Sequence, residues 1–546
     1  MTPPPDAPSA PSRVFQRHWT WWFMVATLVI VAAVRLRLLN LPLERDEGEY
    51  AYAGQLIRQG IPPYQLAYNM KFPGTYVAYA VIMKLFDQTP AGIHFGVLCL
   101  TTLTALMLFW LGKKMLDPTA GIVAASTYAV LAASPSMLGL AGHATHFCAF
   151  FATAGLCVMW QARLNRNRLV ILAAGLLFGT ALLMKQQAAL IALWASLAWT
   201  VWCFRQTEIP SGKRLAAPAV FGVGIILPFA LCCLILWHAS VFRTFWFWTV
   251  EYAWQYASVV PLRYAPQLFW KGFLWVTAPG FLLWLMAGAG LILLWLDERL
   301  KPSRGWLLGF CFASALAVCP DFYFRKHYFL ITLPAVALLG GIAVSATSHR
   351  WAQKNRISRL SGWPVGGYAV LLAATIALNG NTWYVQTWTQ VSRTIYGPDP
   401  FPEAEVVADF IRKNSPLDAR VAVLGSEPEI YFLAHRHSAT GYIYTYGLME
   451  PQPFARKMQD EMIGEIETNS PEFVVFADNP LFSWGRQPDS DLKIFEWWNS
   501  YQTNYTLVGV ADVISSTETI YALTPELAAR YGGQVHGLGL KIFQRK

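Results

Sequence analysis

The chain has 546 residues, of which 55% are hydrophobic and only 14% charged, with 24 Trp and 33 Phe; a soluble protein of this length carries about 25% charged residues. One water-soluble globule is thereby excluded, as is a disordered or fibrous chain, leaving a polytopic membrane protein with something soluble attached. The net charge of +10 is unevenly spread: residues 398–546 hold 12 Lys and Arg against 20 Asp and Glu, and residues 1–397 hold 30 against 12, so a basic membrane part joins an acidic soluble part, a balance that argues against nucleic acid as a partner.

Residues 1–14, rich in Pro, Ala and Ser, read as a disordered tail. Arg13 and Arg17 precede an apolar run at 19–34 that no small-residue cleavage site follows, so it reads as an uncleaved first span. Further apolar runs sit near 91–112, 118–138, 147–162, 169–184, 186–204, 215–238, 272–296, 306–320, 326–347 and 364–385. Basic clusters separate them: Lys113 and Lys114; Arg163, Arg166 and Arg168; Arg205, Lys213 and Arg214; Arg299, Lys301 and Arg304; Arg350, Lys354, Arg356 and Arg359. Two runs lie between consecutive clusters, so all five share one side with Arg13 and Arg17, the cytoplasmic side by the positive-inside rule. The chain is then expected to be a multi-pass protein of the cell's inner membrane, with residues 386–546 outside the cytoplasm.

Gly74–Phe86 is apolar but 13 residues long, about 20 Å of helix against a hydrocarbon core of about 30 Å. The expected count is therefore 11 to 13 transmembrane helices. All eight Cys lie in apolar stretches, and no CxxC or Cys/His spacing occurs. Neither a disulfide framework nor a metal site is expected, and a divalent cation has no support in the spacing.

The same topology collects ionisable residues at the outer helix ends, where such groups tend to mark functional sites. The densest cluster runs from Arg45 to Tyr52. On a helix Asp46 shares a face with Glu49 or Tyr50, while Glu47 points elsewhere. Adjacent carboxylates in a partly dry cleft can divide the roles of base and hydrogen-bond acceptor; the alternative is a solvated loop. Lys71 stands before Phe72-Pro73-Gly74 as a point charge suited to phosphate, or as a snorkelling interfacial lysine. Lys185-Gln186-Gln187 breaks an apolar stretch as a tight basic turn, an anion-binding candidate. In 321–328 the consecutive Arg325, Lys326 and His327, followed by Tyr328, run against the positive-inside trend and favour a bound anion. His143 and His146 read individually as satisfied core histidines. The 239–271 segment, with Phe245, Trp246, Phe247, Trp248 and Glu251, reads as a long aromatic outer loop, fit for the membrane interface or for stacking on a sugar.

Four segments together resemble a known family: LERDEGEYAYAGQLIRQGIPPY, NMKFPGTYVAYAVIMKLF, ALLMKQQAALIAL and FRKHYFLITLPAVALLGG. In order and spacing they resemble the dolichyl-phosphate-mannose protein mannosyltransferase superfamily, specifically bacterial members of glycosyltransferase family 39 related to the lipid A aminoarabinose transferase. The resemblance covers roughly residues 15–350 and implies a GT-C fold. It also implies a polyprenyl-phosphate sugar donor, a lipid, glycan or protein acceptor, and transfer with inversion on the periplasmic face. Carried over, Asp46 looks like the catalytic carboxylate, with Glu47 beside it. Lys71, Lys185, Arg325, His327 and Tyr328 look like the donor-phosphate site. Tyr50, Tyr52, His143, His146, Gln186 and Glu251 are candidates for acceptor or sugar contacts. Many relatives carry an acid where Gly142-His143-Ala144-Thr145-His146 stands, and this chain has none there. The physical requirements agree: a hydroxyl to orient, a leaving phosphate to neutralise, and an apolar groove for a lipid tail.

Residues 398–546 read as a small α/β domain. Helices are expected at 403–412, 429–434 and 455–469, strands at 418–426 and 471–478, and edge strands at 505–510 and 520–523. The overall expectation is a GT-C-like polytopic α-helical membrane protein over 15–390 with a C-terminal soluble α/β domain, acting as a glycosyltransferase. A lipid-linked sugar transporter would show internal repeats and midplane charges. A non-catalytic scaffold would tolerate loss of Asp46 and Lys71.

Overall fold

All eleven apolar runs form helices in a computed structural model, which describes residues 12–207, 210–355, 362–531, 535–536 and 538–546. Tail residues 1–11, Glu208, Arg356 and Arg359 lie outside the described residues. Among the described residues six helical stretches are long and apolar enough to cross a membrane: Pro90–Met115, Ala144–Asn165, Gln186–Arg205, Arg214–His238, Leu262–Leu296 and Lys326–Gln353. Shorter apolar helices, Pro118–Ala132, Arg168–Met184 and Trp363–Leu378, fill the bundle.

Helix ends follow local chemistry. Thr89 and Asp117 each accept a hydrogen bond from the backbone N–H three residues on, and a proline stands at the first helical position after each. Basic clusters far apart in the chain meet at one end of the bundle. Arg299 pairs with Asp117 at 3.2 Å, Ser345 donates to the same carboxylate, and Arg350 donates to the Leu296 carbonyl at 2.5 Å. Residues from three of the five clusters or their flanks thus converge as the loop arithmetic requires.

Gly74–Phe86 lies beside Arg45–Arg58 at the opposite end. Gly74 sits so close to the helix Arg168–Met184 that an added Cβ would meet the Leu183 carbonyl oxygen at 2.4 Å. Thr75 donates to the Met184 carbonyl at 2.9 Å. The other face exposes Val77, Val81 and Leu85, spaced four residues apart, a stripe for the acyl boundary and not for water. The expected loop at 239–271 is instead largely helical, over Phe242–Trp246, a π-helical turn at Phe247–Tyr252, Ala253–Ala257 and Ala265–Thr277. Its aromatic residues pack upon each other and on the soluble domain, which is why the segment folds.

The C-terminal domain carries a six-stranded sheet in the order β2-β1-β3-β6-β4-β5. The strands are β1 Arg420–Leu424, β2 His437–Ser438, β3 Phe473–Asp478, β4 Tyr505–Val513, β5 Thr519–Ala522 and β6 Leu538–Arg545. β1 pairs in parallel with β2 and β3; β6 runs antiparallel to both β3 and β4. The expected edge strand at 505–510 is therefore an inner one, because the C-terminal β6 inserts beside it. Among the described residues β5 and the two-residue β2 are the edges.

This domain docks directly on the helix Arg45–Arg58. Tyr52 packs on Tyr431 with ring centroids 5.1 Å apart, and the Ser438 N–H donates to the Tyr52 hydroxyl at 2.7 Å. Gln55 donates to the Phe432 carbonyl at 3.2 Å. Gly48 faces the start of Glu429–Ala434, where an added Cβ would fall 2.6 Å from the Glu429 nitrogen. Gly48→Ala is accordingly expected to push the domain off its seat and cost about 1–3 kcal/mol, an overpacking penalty. A thermal melt should show the loss, and limited proteolysis should cut the variant faster; an unchanged melt would mean the seat is loose.

Candidate active site

Asp46 stands in the first turn of Arg45–Arg58, whose N-cap Glu44 accepts the Glu47 N–H at 3.0 Å. The positive end of the helix favours an anion there. Asp46 and Glu49, three apart, do share a face, and Lys71 lies between them. The Lys71 ammonium donates to Asp46 Oδ1 at 2.7 Å and to Glu49 Oε2 at 2.5 Å. It also sits 4.7 Å from the Tyr50 ring centroid and 5.4 Å from that of Tyr444. The Tyr64 hydroxyl and the Gln186 amide donate to the backbone carbonyls of Lys71 and Met70, both at 2.7 Å, tying the Lys71 loop to the Lys185 turn.

The other Asp46 oxygen, Oδ2, faces two imidazoles: His143 Nδ1 at 3.6 Å and His327 Nε2 at 4.0 Å. These rings stack with centroids 4.2 Å apart and planes 9° from parallel. Burial pushes the Asp46 carboxyl up, but Lys71, His143 and His327 outweigh it and hold it well below the usual carboxylate range. At Glu49 burial wins and raises the carboxyl despite Lys71. The two acids thus divide: one ionised and reachable, the other buried and bonded to Tyr76 at 2.5 Å.

Opposite lie the cations. The turn before the helix Leu333–Asn355 takes a left-handed backbone at Asp321, Phe322 and Phe324, with φ of 70°, 56° and 47°. Asp321 pins it, accepting the Tyr323 N–H at 3.0 Å and the Tyr328 hydroxyl at 2.8 Å. Such strain persists only where surrounding contacts impose it; here it turns Arg325 and His327 inward. Arg325 donates to the Tyr256 hydroxyl at 2.8 Å. Lys185, held extended between two helices, sits 3.9 Å from the Tyr328 ring centroid. Among the described residues neither Lys185 nor Arg325 has a carboxylate within ion-pair distance. Burial, only partly offset by Asp46 and Asp321, pushes the Lys185 ammonium down to about 8.

Asp46, Lys71, Lys185, Arg325, His143, His327 and Tyr328 all line one cavity of about 590 Å³, together with Gln186 and Gln187. Residues 25 (Lys71) to 282 (Tyr328) positions beyond Asp46 in the chain are thereby brought to one place.

Five sequence candidates sit elsewhere. Glu47 is fully buried, accepting the Gly142 N–H at 2.5 Å and facing His94 at 3.1 Å. Tyr50 is buried beneath Lys71, and Tyr52 belongs to the domain seat. His146 is buried against the Gly139 carbonyl. Glu251 is exposed, because the π-helical turn points Trp248 and Tyr252 into the cavity in its place. His143, expected to be a satisfied core histidine, has neither ring nitrogen hydrogen-bonded. The sequence alone leaves the C-terminal domain a role in acceptor recognition or gating but singles out none of the residues it contributes: Asp399, Phe401, Tyr444, Tyr446 and Glu450 line the same cavity.

Asp46, His143 and His327 offer three metal-ligand atoms within 4.8 Å of one another, a group that no local spacing reveals. A metal binds imidazole in the ring plane, and two nearly parallel rings 4.2 Å apart share no such point. The group as arranged does not fit an ion held by both rings.

No protein-family model and no curated protein matches this sequence. Solved structures do match. ArnT from Cupriavidus metallidurans bound to undecaprenyl phosphate aligns with a TM-score of 0.58 at 16% identity, over 85% of this chain and 94% of that one. Its apo state aligns at 0.57 and 15%, over 93% and 99%. The oligosaccharyltransferase AglB from Archaeoglobus fulgidus, in complex with an inhibitory peptide and a dolichol-phosphate, aligns at 0.53 and 15%, over 93% and 75%. The chain has the GT-C fold. At such identity the likeness is one of architecture, and the chemistry of this GT-C chain rests on its own cavity.

Proposed function

We propose that this protein is an inverting membrane glycosyltransferase. It takes a sugar from a polyprenyl-phosphate donor and passes it to a lipid, glycan or protein acceptor at the outer, periplasmic face of the inner membrane. The observation that carries this reading is a carboxylate held ionised in the same cavity as two cations, Lys185 and Arg325, that have no carboxylate partner among the described residues. Unneutralised buried cations are costly and are kept where an anion binds. The similarity to ArnT solved with undecaprenyl phosphate supports a lipid phosphate as that anion.

In the reaction, an acceptor oxygen bonds to the anomeric carbon while the bond from that carbon to the phosphate oxygen breaks. Lys71, Lys185 and Arg325 neutralise the leaving phosphate as its charge grows. Asp46 orients the acceptor hydroxyl through Oδ2. With its carboxyl held so low Asp46 is a weak base, so the proton moves late, once the sugar carbon has made the hydroxyl acidic.

Mass spectrometry of cell-envelope glycans from cells with and without the protein tests the reading. One glycan lacking one sugar in the deletion supports it; an unchanged envelope refutes it. A pH dependence follows as well. A lipid phosphate is already largely dianionic above its second pKa of about 6, whereas Lys185 loses its proton as pH rises through about 8. Undecaprenyl phosphate should therefore bind more weakly at pH 9 than at pH 7. Lys185→Arg, which stays charged, should flatten that dependence. Equal slopes for both proteins in a binding titration would remove Lys185 from the phosphate site.

A further inference from the structure

We propose that the C-terminal domain completes the active site, with Tyr444 as a positioning residue for Asp46; this rests on the transfer reading above. The Tyr444 hydroxyl lies 3.2 Å from Asp46 Oδ1 and 3.0 Å from the Arg45 carbonyl, reaching across 398 residues of sequence. Together with Lys71 it occupies Oδ1, so that Oδ2 is the oxygen left to meet an acceptor.

The segment carrying Tyr444 is irregular but pinned on both sides. Tyr442 donates to Glu461 at 2.5 Å, Ile443 is buried, and the Thr445 N–H donates to Ser426 Oγ at 3.0 Å. The preceding residue of the catalytic helix is fixed to the same domain. Arg45 donates through Nε to the Ser426 carbonyl at 2.6 Å and through its terminal nitrogen to Asp399 at 3.2 Å. Its guanidinium lies between the rings of Phe401 and Tyr446, at 5.6 and 5.3 Å. Arg45, bonded to the soluble domain, and Tyr444, which shares Asp46 Oδ1 with Lys71, therefore tie the start of this helix to that domain. A domain that merely covered the membrane part would have no reason to reach the reacting carboxylate with a hydroxyl.

Tyr444→Phe isolates the hydroxyl, since the ring and its packing stay. In the full-length protein kcat should fall about tenfold, the worth of one hydrogen bond to a charged group, with the KM for donor unchanged. A hydrogen bond to the ionised carboxylate lowers its pKa, so its loss should move the acid limb of the pH–rate profile upward. Independently of activity, Tyr444→Phe should lower the melting temperature by about 2 °C when Asp46 is present and by clearly less in an Asp46→Ala background, where only the bond to the Arg45 carbonyl is left to lose, the non-additivity of a direct contact. Additive melting shifts would overturn the contact. A uniform rate loss with an unmoved acid limb would overturn positioning. Coupled melting shifts in a protein that transfers no sugar would sink the proposed function and leave the contact standing.

Discussion

Asp46→Asn should cut sugar transfer by about 10²–10⁴-fold, the range for a positioned acid or base, while the protein keeps its fold and still binds undecaprenyl phosphate. Asparagine preserves the shape of the side chain and can still accept from Tyr444. It removes the charge that Lys71 neutralises at 2.7 Å and the lone pair that faces the imidazole stack. Glu49 remains at 2.5 Å from the ammonium, so the Lys71 loop should stay in place. Initial rates with saturating donor, beside a melting curve, check this. A variant as active as the parent would show that the carboxylate takes no part.

Lys71→Met should be as damaging for a different reason. In the proposed transfer it removes a charge from the leaving phosphate, worth about 10²–10³-fold in rate when a preorganised stabilising group is lost. It also leaves Asp46 and Glu49 facing each other unpaired in a partly dry site, a loss of about 3–5 kcal/mol for a broken buried pair. The two effects separate in the double variant Lys71→Met, Glu49→Gln, which removes the buried acid. Its melting temperature should recover while its transfer rate does not. If both recover, Lys71 serves only to neutralise Glu49, and the phosphate is held elsewhere.

The bundle was legible in the sequence because its signals are local. Apolar runs of sufficient length and alternating basic clusters need no knowledge of distant contacts, and Asp117 meeting Arg299 at one end follows from them. The outer-face charges were legible on the same footing: Asp46, Lys71, Lys185 and Arg325 stand out as rare ionisable residues at helix ends. Helical spacing alone placed Glu49 beside Asp46 and turned Glu47 away. What depends on pairing across the chain was not legible. His143 looks like a core histidine until His327 stacks on it. Tyr52 looks like a site residue until Ser438 claims its hydroxyl. Tyr444 carries no signal at all, since its meaning comes from a contact 398 residues away. β6 was missed because its eight residues include a glycine and two cations, and its place at the centre of the sheet is set by β3 and β4.

A cryo-EM structure of the full-length protein with undecaprenyl phosphate bound is the most direct trial of the central idea, a lipid phosphate seated in the cavity that holds Asp46. The expected density has the phosphate within hydrogen-bond reach of Lys71, Lys185 and Arg325, its tail leaving sideways into the bilayer and Asp46 facing the vacant sugar position. Phosphate density on any other surface, with Lys185 and Arg325 making no contact to it, would contradict it.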